Sequence, residues 1–195
     1  ARLQADRLMY RYSADHEPAL NGVSFEAEPG DVIAVIGPNG AGKSTLLECL
    51  AGLRSPQAGT LRVDGRDVRQ FDPADFRSWI GFATRRPQAF PETVRAHMRL
   101  KRPESTDAEL EAALEAAAGA DWSALMPTGL DTQIDPFDET SENERRERLV
   151  NMAIALLGAP RLLLFDDPVL ANDGMLNSRF EELLANPGED RTVMF

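Results

Sequence analysis

The sequence holds a single cysteine, Cys49, and only two histidines, His16 and His97, among 195 residues. One thiol rules out an internal disulfide framework and suits a reducing compartment. Cys49 lies inside STLLECLAG, on what reads as a helix face, where an inert packed thiol is expected. No apolar run approaches the ~18 residues a membrane span requires, and no secretory signal pattern opens the chain. Basic charge is also short: 21 Lys and Arg against 32 Asp and Glu leave a net charge of −11 and a pI near 4.7. That balance argues against a protein that coats nucleic acid, which needs a basic face. It leaves room for phosphate binding, because backbone N–H groups can supply the attraction locally. What remains is 43% hydrophobic and 27% charged, enough for one soluble domain with a real core. The chain opens on Ala1 and closes on the β-like RTVMF with no turn or cap behind it, which reads as a segment of a longer protein.

Strand-like LQADRLMYRYS and GVSFEAEPG flank a polar turn around ADHEP. DVIAVIG is a short Val/Ile-rich strand that runs into GPNGAGKST and then a helical TLLECLAGL. GTLRVDGRDV alternates and carries an Asp-Gly turn, the pattern of an antiparallel hairpin. DPADFRSWIGFA predicts a short helix and then a strand ending near Ala83. Residues 103–120 predict a helix, with Thr106 and Glu109 as a capping box and Leu110, Ala113, Leu114 and Ala117 as its apolar stripe. A second helix is expected over roughly 141–157, followed by the buried strand RLLLF, the helix NSRFEELLAN and the terminal RTVMF. Strands alternating with helices imply an α/β domain around a mostly parallel sheet. No internal repeat is visible.

Gly37-Pro38-Asn39-Gly40-Ala41-Gly42-Lys43-Ser44 fits the phosphate-loop pattern G-x-x-x-x-G-K-[ST]. With average glycine usage, four fixed positions match by accident in about one chain in a hundred of this length. The flanking strand and helix sharpen the match further. Glycines let the loop curl so that successive N–H groups point inward at phosphate oxygens, and the helix adds its positive end. Lys43 is placed to reach the β- and γ-phosphates, and the Ser44 hydroxyl to ligate Mg²⁺. Asp166, at the tip of the apolar strand RLLLF, is then the natural second holder of that cation.

At this point almost the whole chain resembles the ATP-binding cassette of an ABC transporter, particularly of the exporter type. The stretches that carry the likeness run from YRYS through GRDV, with FRSWIGFATRRPQAFPETVRAHM, GLDTQI and PRLLLFDDPVLAND. The resemblance implies a P-loop NTPase fold: a mostly parallel core sheet, an antiparallel β subdomain near the N-terminus and a helical subdomain at about 90–157. It implies one domain over residues 1–195, cut before the family's switch histidine, with ATP and Mg²⁺ as ligands. Gly37 to Thr45 then form the Walker A loop, including Asn39, Gly40, Ala41, Gly42, Lys43 and Ser44, and Asp166 is the Walker B aspartate. Tyr12 takes the place of the aromatic that stacks on adenine, with Tyr10, two residues earlier and expected on the same strand face, as its rival. Asp173 matches the D-loop aspartate at the interface with a second cassette.

Four places depart from the family pattern. Where the family carries a glutamine that helps hold Mg²⁺ and water, Arg85 stands, and Gln88 falls three residues too late. An arginine cannot ligate a cation, though it can bind a phosphate oxygen. The family's Leu-Ser-Gly-Gly-Gln signature becomes TSENE if matched at Ser141, or ENERR if counted back from Pro160. Neither holds a glycine, and glutamates there repel a triphosphate. Asp167 occupies the position of the catalytic glutamate, on a stem shorter by roughly 1.5 Å, and a misplacement near 1 Å can cost about 10²-fold. A plain second acid beside Asp166 is the other reading of Asp167. Neither His16 nor His97 is in the switch position.

The expected function is therefore Mg·ATP binding with slow hydrolysis, coupled to an exporter's membrane domains at the cytoplasmic face of the membrane through residues near 84–98. Its partners are a second cassette, in a homo- or heterodimer, and transmembrane domains; no nucleic acid is expected. The alternatives are a nucleotide-dependent regulatory or binding module without turnover, and a non-transport cassette ATPase.

Overall fold

The computed structural model describes residues 1–85, 89–167 and 174–195. They divide into two compact units, one of Ala1–Ile80, Arg161–Asp166 and Pro187–Phe195, the other of Gly81–Pro160 and Asp167–Asn186. In chain order the first elements are β1 (Leu3–Tyr10), β2 (Leu20–Ala27), β3 (Val32–Ile33), α1 (Lys43–Leu50), β4 (Ala58–Val63), β5 (Arg66–Asp67) and α2 (Pro73–Ser78). There follow β6 (Ile80–Ala83), β7 (Glu92–Thr93), α3 (Val94–Lys101), α4 (Asp107–Ala118), α5 (Trp122–Leu125) and β8 (Gln133–Ile134). The last are α6 (Ser141–Leu156), β9 (Leu162–Phe165), α7 (Gly174–Ala185) and β10 (Thr192–Met194).

The first unit contains an antiparallel sheet in the order β2-β1-β4-β5. Leu3 and Ala5 of β1 are buried, as alternation demands, and Leu8 is buried as well, one residue out of phase. Between Ala5 and Leu8 the register slips, and Arg7 takes a φ of 48°. Gly59 lies opposite, and a Cβ there would come within 2.4 Å of the Arg7 carbonyl oxygen, so only glycine fits against this bulge. The predicted hairpin is β4–β5, with Asp64 and Gly65 both at positive φ (49° and 79°), the two-residue turn that matches strand twist.

Parallel to one another run β3, β10 and β9, with β10 between the other two. All four residues of β9 are buried, which explains its unbroken apolar run. The carbonyl of Trp79, just before β6, accepts from the N–H groups of Arg161 and Leu162 at 2.9 and 3.2 Å. The DVIAVIG strand is shorter than its composition suggests. The β3 ladder covers Val32 and Ile33, and Val35 adds one bond to the Phe195 carbonyl at 2.6 Å. Beyond it Ile36 is 91% exposed, because the chain is already turning into the glycine-rich loop.

The second unit is helical, with β7 and β8 as a small antiparallel pair. The predicted helix at 103–120 is α4, trimmed by its own caps. Thr106 starts it with a complete capping box to Glu109, and Gly119, at φ 75°, stops it. Leu110, Ala113, Leu114 and Ala117 are buried, and α4 packs on α6 and α7. The polar start and apolar end expected of 141–157 hold in α6, where Leu149, Val150, Met152, Ala153 and Ala155 are buried. Among the described residues no helix is long and apolar enough to cross a membrane.

Candidate functional site

Lys43 begins α1, and Gly42 caps it at φ 88°. A Cβ at Gly42 would stand 2.1 Å from the Ala19 carbonyl oxygen, so the loop closes this tightly only with glycine. No side chain caps α1. The N–H groups of its first turn therefore remain available to an anion, and the helix dipole favours one. Gly37, Asn39, Gly40 and Ala41 are exposed, which leaves the loop's concave backbone accessible. The Lys43 ammonium donates to the carbonyl oxygens of Gly37 and Pro38, at 2.7 and 3.0 Å. It thus lies across the loop, held by neutral acceptors that a phosphate would outcompete.

The Ser44 hydroxyl donates to Asp166 Oδ1 at 2.9 Å. That contact joins the start of α1 to the end of β9 and brings together the two oxygen groups expected to hold Mg²⁺. Among the described residues no cluster of three or more His, Cys, Asp or Glu could hold a metal. A hydroxyl and one carboxylate fit Mg²⁺ that takes its other ligands from water and phosphate.

Tyr12 and Tyr10 divide as follows. Strand β1 ends at Tyr10, so the two do not share one strand face. The Tyr12 hydroxyl shares a hydrogen bond with Thr45 Oγ1 at 2.9 Å, and Tyr12 is 56% exposed. The Tyr10 ring meets it edge-on at 5.2 Å, and its hydroxyl accepts from Arg54 at 3.1 Å. Arg54, paired to Glu48 of α1, sets its guanidinium carbon 4.7 Å from the Tyr12 ring centre. Glu48 and the Tyr10 hydroxyl hold the Arg54 pKa above its usual value. Cys49, on the same helix, is buried among apolar groups that push its thiol up to about 11, so the packed, inert reading stands.

In the second unit the Arg85 Nε lies 3.1 Å from Asp167 Oδ2, with both side chains more than half exposed. The backbone delivering Arg85 is anchored, since the Thr84 carbonyl accepts from the Asn151 amide of α6 at 2.8 Å. Asp167 takes a φ of 57°, in the left-handed region that aspartate enters more readily than most residues. At the head of α6, Thr140 caps the helix by accepting from the Asn143 N–H at 3.3 Å. The buried Asn143 amide donates to the carbonyls of Asp135 and Asp138 and to Glu147, at 2.8, 3.1 and 3.0 Å. Desolvation holds the Glu147 carboxyl above its usual range. Glu142 and Glu144 stand exposed in the first turn, each paired with the arginine four residues on, Arg146 and Arg148.

Neither histidine belongs to this chemistry. Nε2 of the buried His97 accepts from the Phe90 N–H at 3.3 Å, so Nδ1 carries the proton and donates to the Thr93 carbonyl at 2.9 Å. His16 is exposed and bonded to Ser13. Gln88 and Asp173 lie outside the described residues.

A family model described as ABC transporter matches residues 20–170. The chain belongs to the ABC transporter family. It is 32% identical over 192 residues to a multidrug efflux ATP-binding/permease protein of Mycobacterium bovis, covering 98% of this chain and 16% of that protein. It is 31% identical over 191 residues to the mycobactin import ATP-binding/permease protein IrtB, also of Mycobacterium bovis, covering 98% of this chain and 33% of that one. A bacterial Atm1-family ABC exporter solved with ATP bound superposes with a TM-score of 0.83 at 27% identity, over 99% of this chain and 34% of the other. The chain thus spans between a sixth and a third of the proteins it matches.

The cassette's first unit brings the loop residues Gly37–Thr45, Asp166 and Tyr12 to one place. Two partners escaped the sequence reading. Arg54 lacks any motif, and its only signal was a basic residue shortly after a helix carrying Glu48. The Arg85–Asp167 pair was visible only as two departures of opposite charge.

Proposed function

We propose that this chain is the ATP-binding cassette of an exporter-type transporter, one that binds Mg·ATP, hydrolyses it slowly, and works paired with a second cassette. The observation that carries the reading is the Ser44–Asp166 contact at 2.9 Å beside the uncapped start of α1. These residues would hold the cation and phosphates, while the ring of Tyr12, more than half exposed, would take the adenine. Mg²⁺, which Ser44 and Asp166 would hold, would supply neutralisation of the triphosphate charge. Lys43 would leave the Gly37 and Pro38 carbonyls for phosphate oxygens. Hydrolysis bonds a water oxygen to the γ-phosphorus, breaks the bond to the bridging oxygen, and moves one water proton to an acceptor. Asp167 is the side chain proposed to orient that water.

The cassette would lie at the cytoplasmic face of a membrane, joined to transmembrane domains, with no role for nucleic acid given a net charge of −11. A nucleotide-gated module without turnover is the second reading, favoured by the ion pair that occupies Asp167. Equilibrium binding of Mg·ATP tests the core of the proposal. The wild-type chain binds, Lys43→Ala weakens binding by at least tenfold, and Asp166→Asn removes the dependence on Mg²⁺. A wild-type chain with no affinity for Mg·ATP overturns the reading.

A further inference from the structure

We infer that Arg85 is a positioning residue that restrains the Asp167 carboxylate and thereby slows nucleotide turnover without changing nucleotide affinity. The inference rests on the reading above that this chain binds and cleaves ATP.

The placement of the two groups carries the argument. Asp167 directly follows Asp166, whose Oδ1 is already engaged by Ser44, so Asp167 is the next carboxylate after the proposed metal holder. A φ of 57° turns the chain sharply at this residue, and its side chain runs to the Arg85 Nε at 3.1 Å. Arg85 follows β6 directly after Thr84, whose carbonyl is tied to Asn151 on α6. The guanidinium is therefore presented from an anchored backbone rather than from a free loop tip. A guanidinium at this distance pairs with the carboxylate as an ion pair and balances its charge locally. A carboxylate drawn towards the guanidinium is biased to one orientation, and that bias competes with turning it towards a water.

Both side chains are more than half exposed, so the restraint is modest and open to screening. That fixes the expected size of the effect. In the full-length protein at saturating Mg·ATP, Arg85→Gln raises kcat about two- to fivefold, the range an exposed pair allows, with KM and the nucleotide Kd unchanged within twofold. Arg85→Lys, which keeps the charge, stays within twofold of wild type. Added salt raises the wild-type kcat and leaves that of Arg85→Gln flat, a readout that a merely structural role would not move.

A kcat that falls or stays level in Arg85→Gln overturns the inference, as does an equal salt response in both proteins. It is overturned equally if the Arg85→Gln, Asp167→Glu double variant binds Mg·ATP yet shows no turnover. Failure of the wild-type protein to bind Mg·ATP is a different result, because it removes the proposed function itself.

Discussion

Tyr12, proposed above to stack on adenine, owes its setting to what its neighbours occupy. Its hydroxyl is spent on Thr45, while Tyr10 spends its own hydroxyl on Arg54 and turns its ring edge-on. Tyr12 is left 56% exposed. Base–aromatic stacking contributes about 1 to 3 kcal/mol, so Tyr12→Ala should raise the Kd for ATP roughly five- to a hundredfold in calorimetric titration. Tyr12→Phe keeps the ring and loses only the Thr45 bond, so the Kd should stay within about threefold. A phenylalanine variant as weak as the alanine one would move the role from the ring to the hydroxyl. At this scale the phosphate loop was legible because glycine spacing and a lysine are local constraints on the backbone. The preference for Tyr12 came from the resemblance, and the surroundings of the two rings, set by Arg54 shortly after α1, carried no sequence signal.

Helix α3 carries a cost that local patterning does not reveal. Lys101, in its last turn, would ordinarily favour the helix dipole, yet burial pushes its ammonium down to about 8 while it donates to the Ile154 carbonyl at 3.2 Å. Below pH 8 both the folded and unfolded chains hold this proton, and the desolvation penalty is fully present. From pH 8 to about 10.5 the folded chain releases it first, so this site's contribution to stability rises with pH. Lys101→Met should therefore stabilise the fold at pH 7, by on the order of 1 to 2 kcal/mol once partial exposure is discounted. The gap in urea midpoint between variant and wild type should narrow as pH approaches 10. A gap independent of pH would mean that methionine acts by packing alone. Among whole elements, α4 was readable because a capping box and an apolar stripe are written into it, and α6 because a polar start runs into an apolar end. By contrast, β3 was overread: its apolar residues continue past the point where a ladder partner is present, and Ile36 faces solvent instead.

Across the molecule, a net charge of −11 makes any approach of triphosphate depend on where the acids are placed. Backbone amides need no net charge, which is why an acidic chain can still cradle phosphate at the start of α1. The head of α6 is built the other way, with Thr140 occupying the cap and Glu142 and Glu144 occupying the first turn. If a second cassette's nucleotide comes to this helix, the two carboxylates oppose it, although each is already shared with Arg146 or Arg148. Replacing both with glutamine should have two consequences of opposite sign. The helix loses favourable dipole terms of about 0.3 to 1 kcal/mol each and i,i+4 terms of about 0.2 to 0.5 kcal/mol each, so thermal stability should fall by a few degrees. Nucleotide affinity in the paired assembly should rise, by roughly three- to tenfold at low salt, because repulsion is removed and two arginines are freed to meet phosphate. The gain should fade near 0.5 M salt, where exposed charges a few ångströms apart are screened, while the stability loss persists in its uncharged part. Titrating ATP into wild-type and Glu142→Gln, Glu144→Gln assemblies at two ionic strengths reads both. An affinity that stays flat at low salt would place the partner's triphosphate away from α6, leaving the acids to act as helix-capping charges alone.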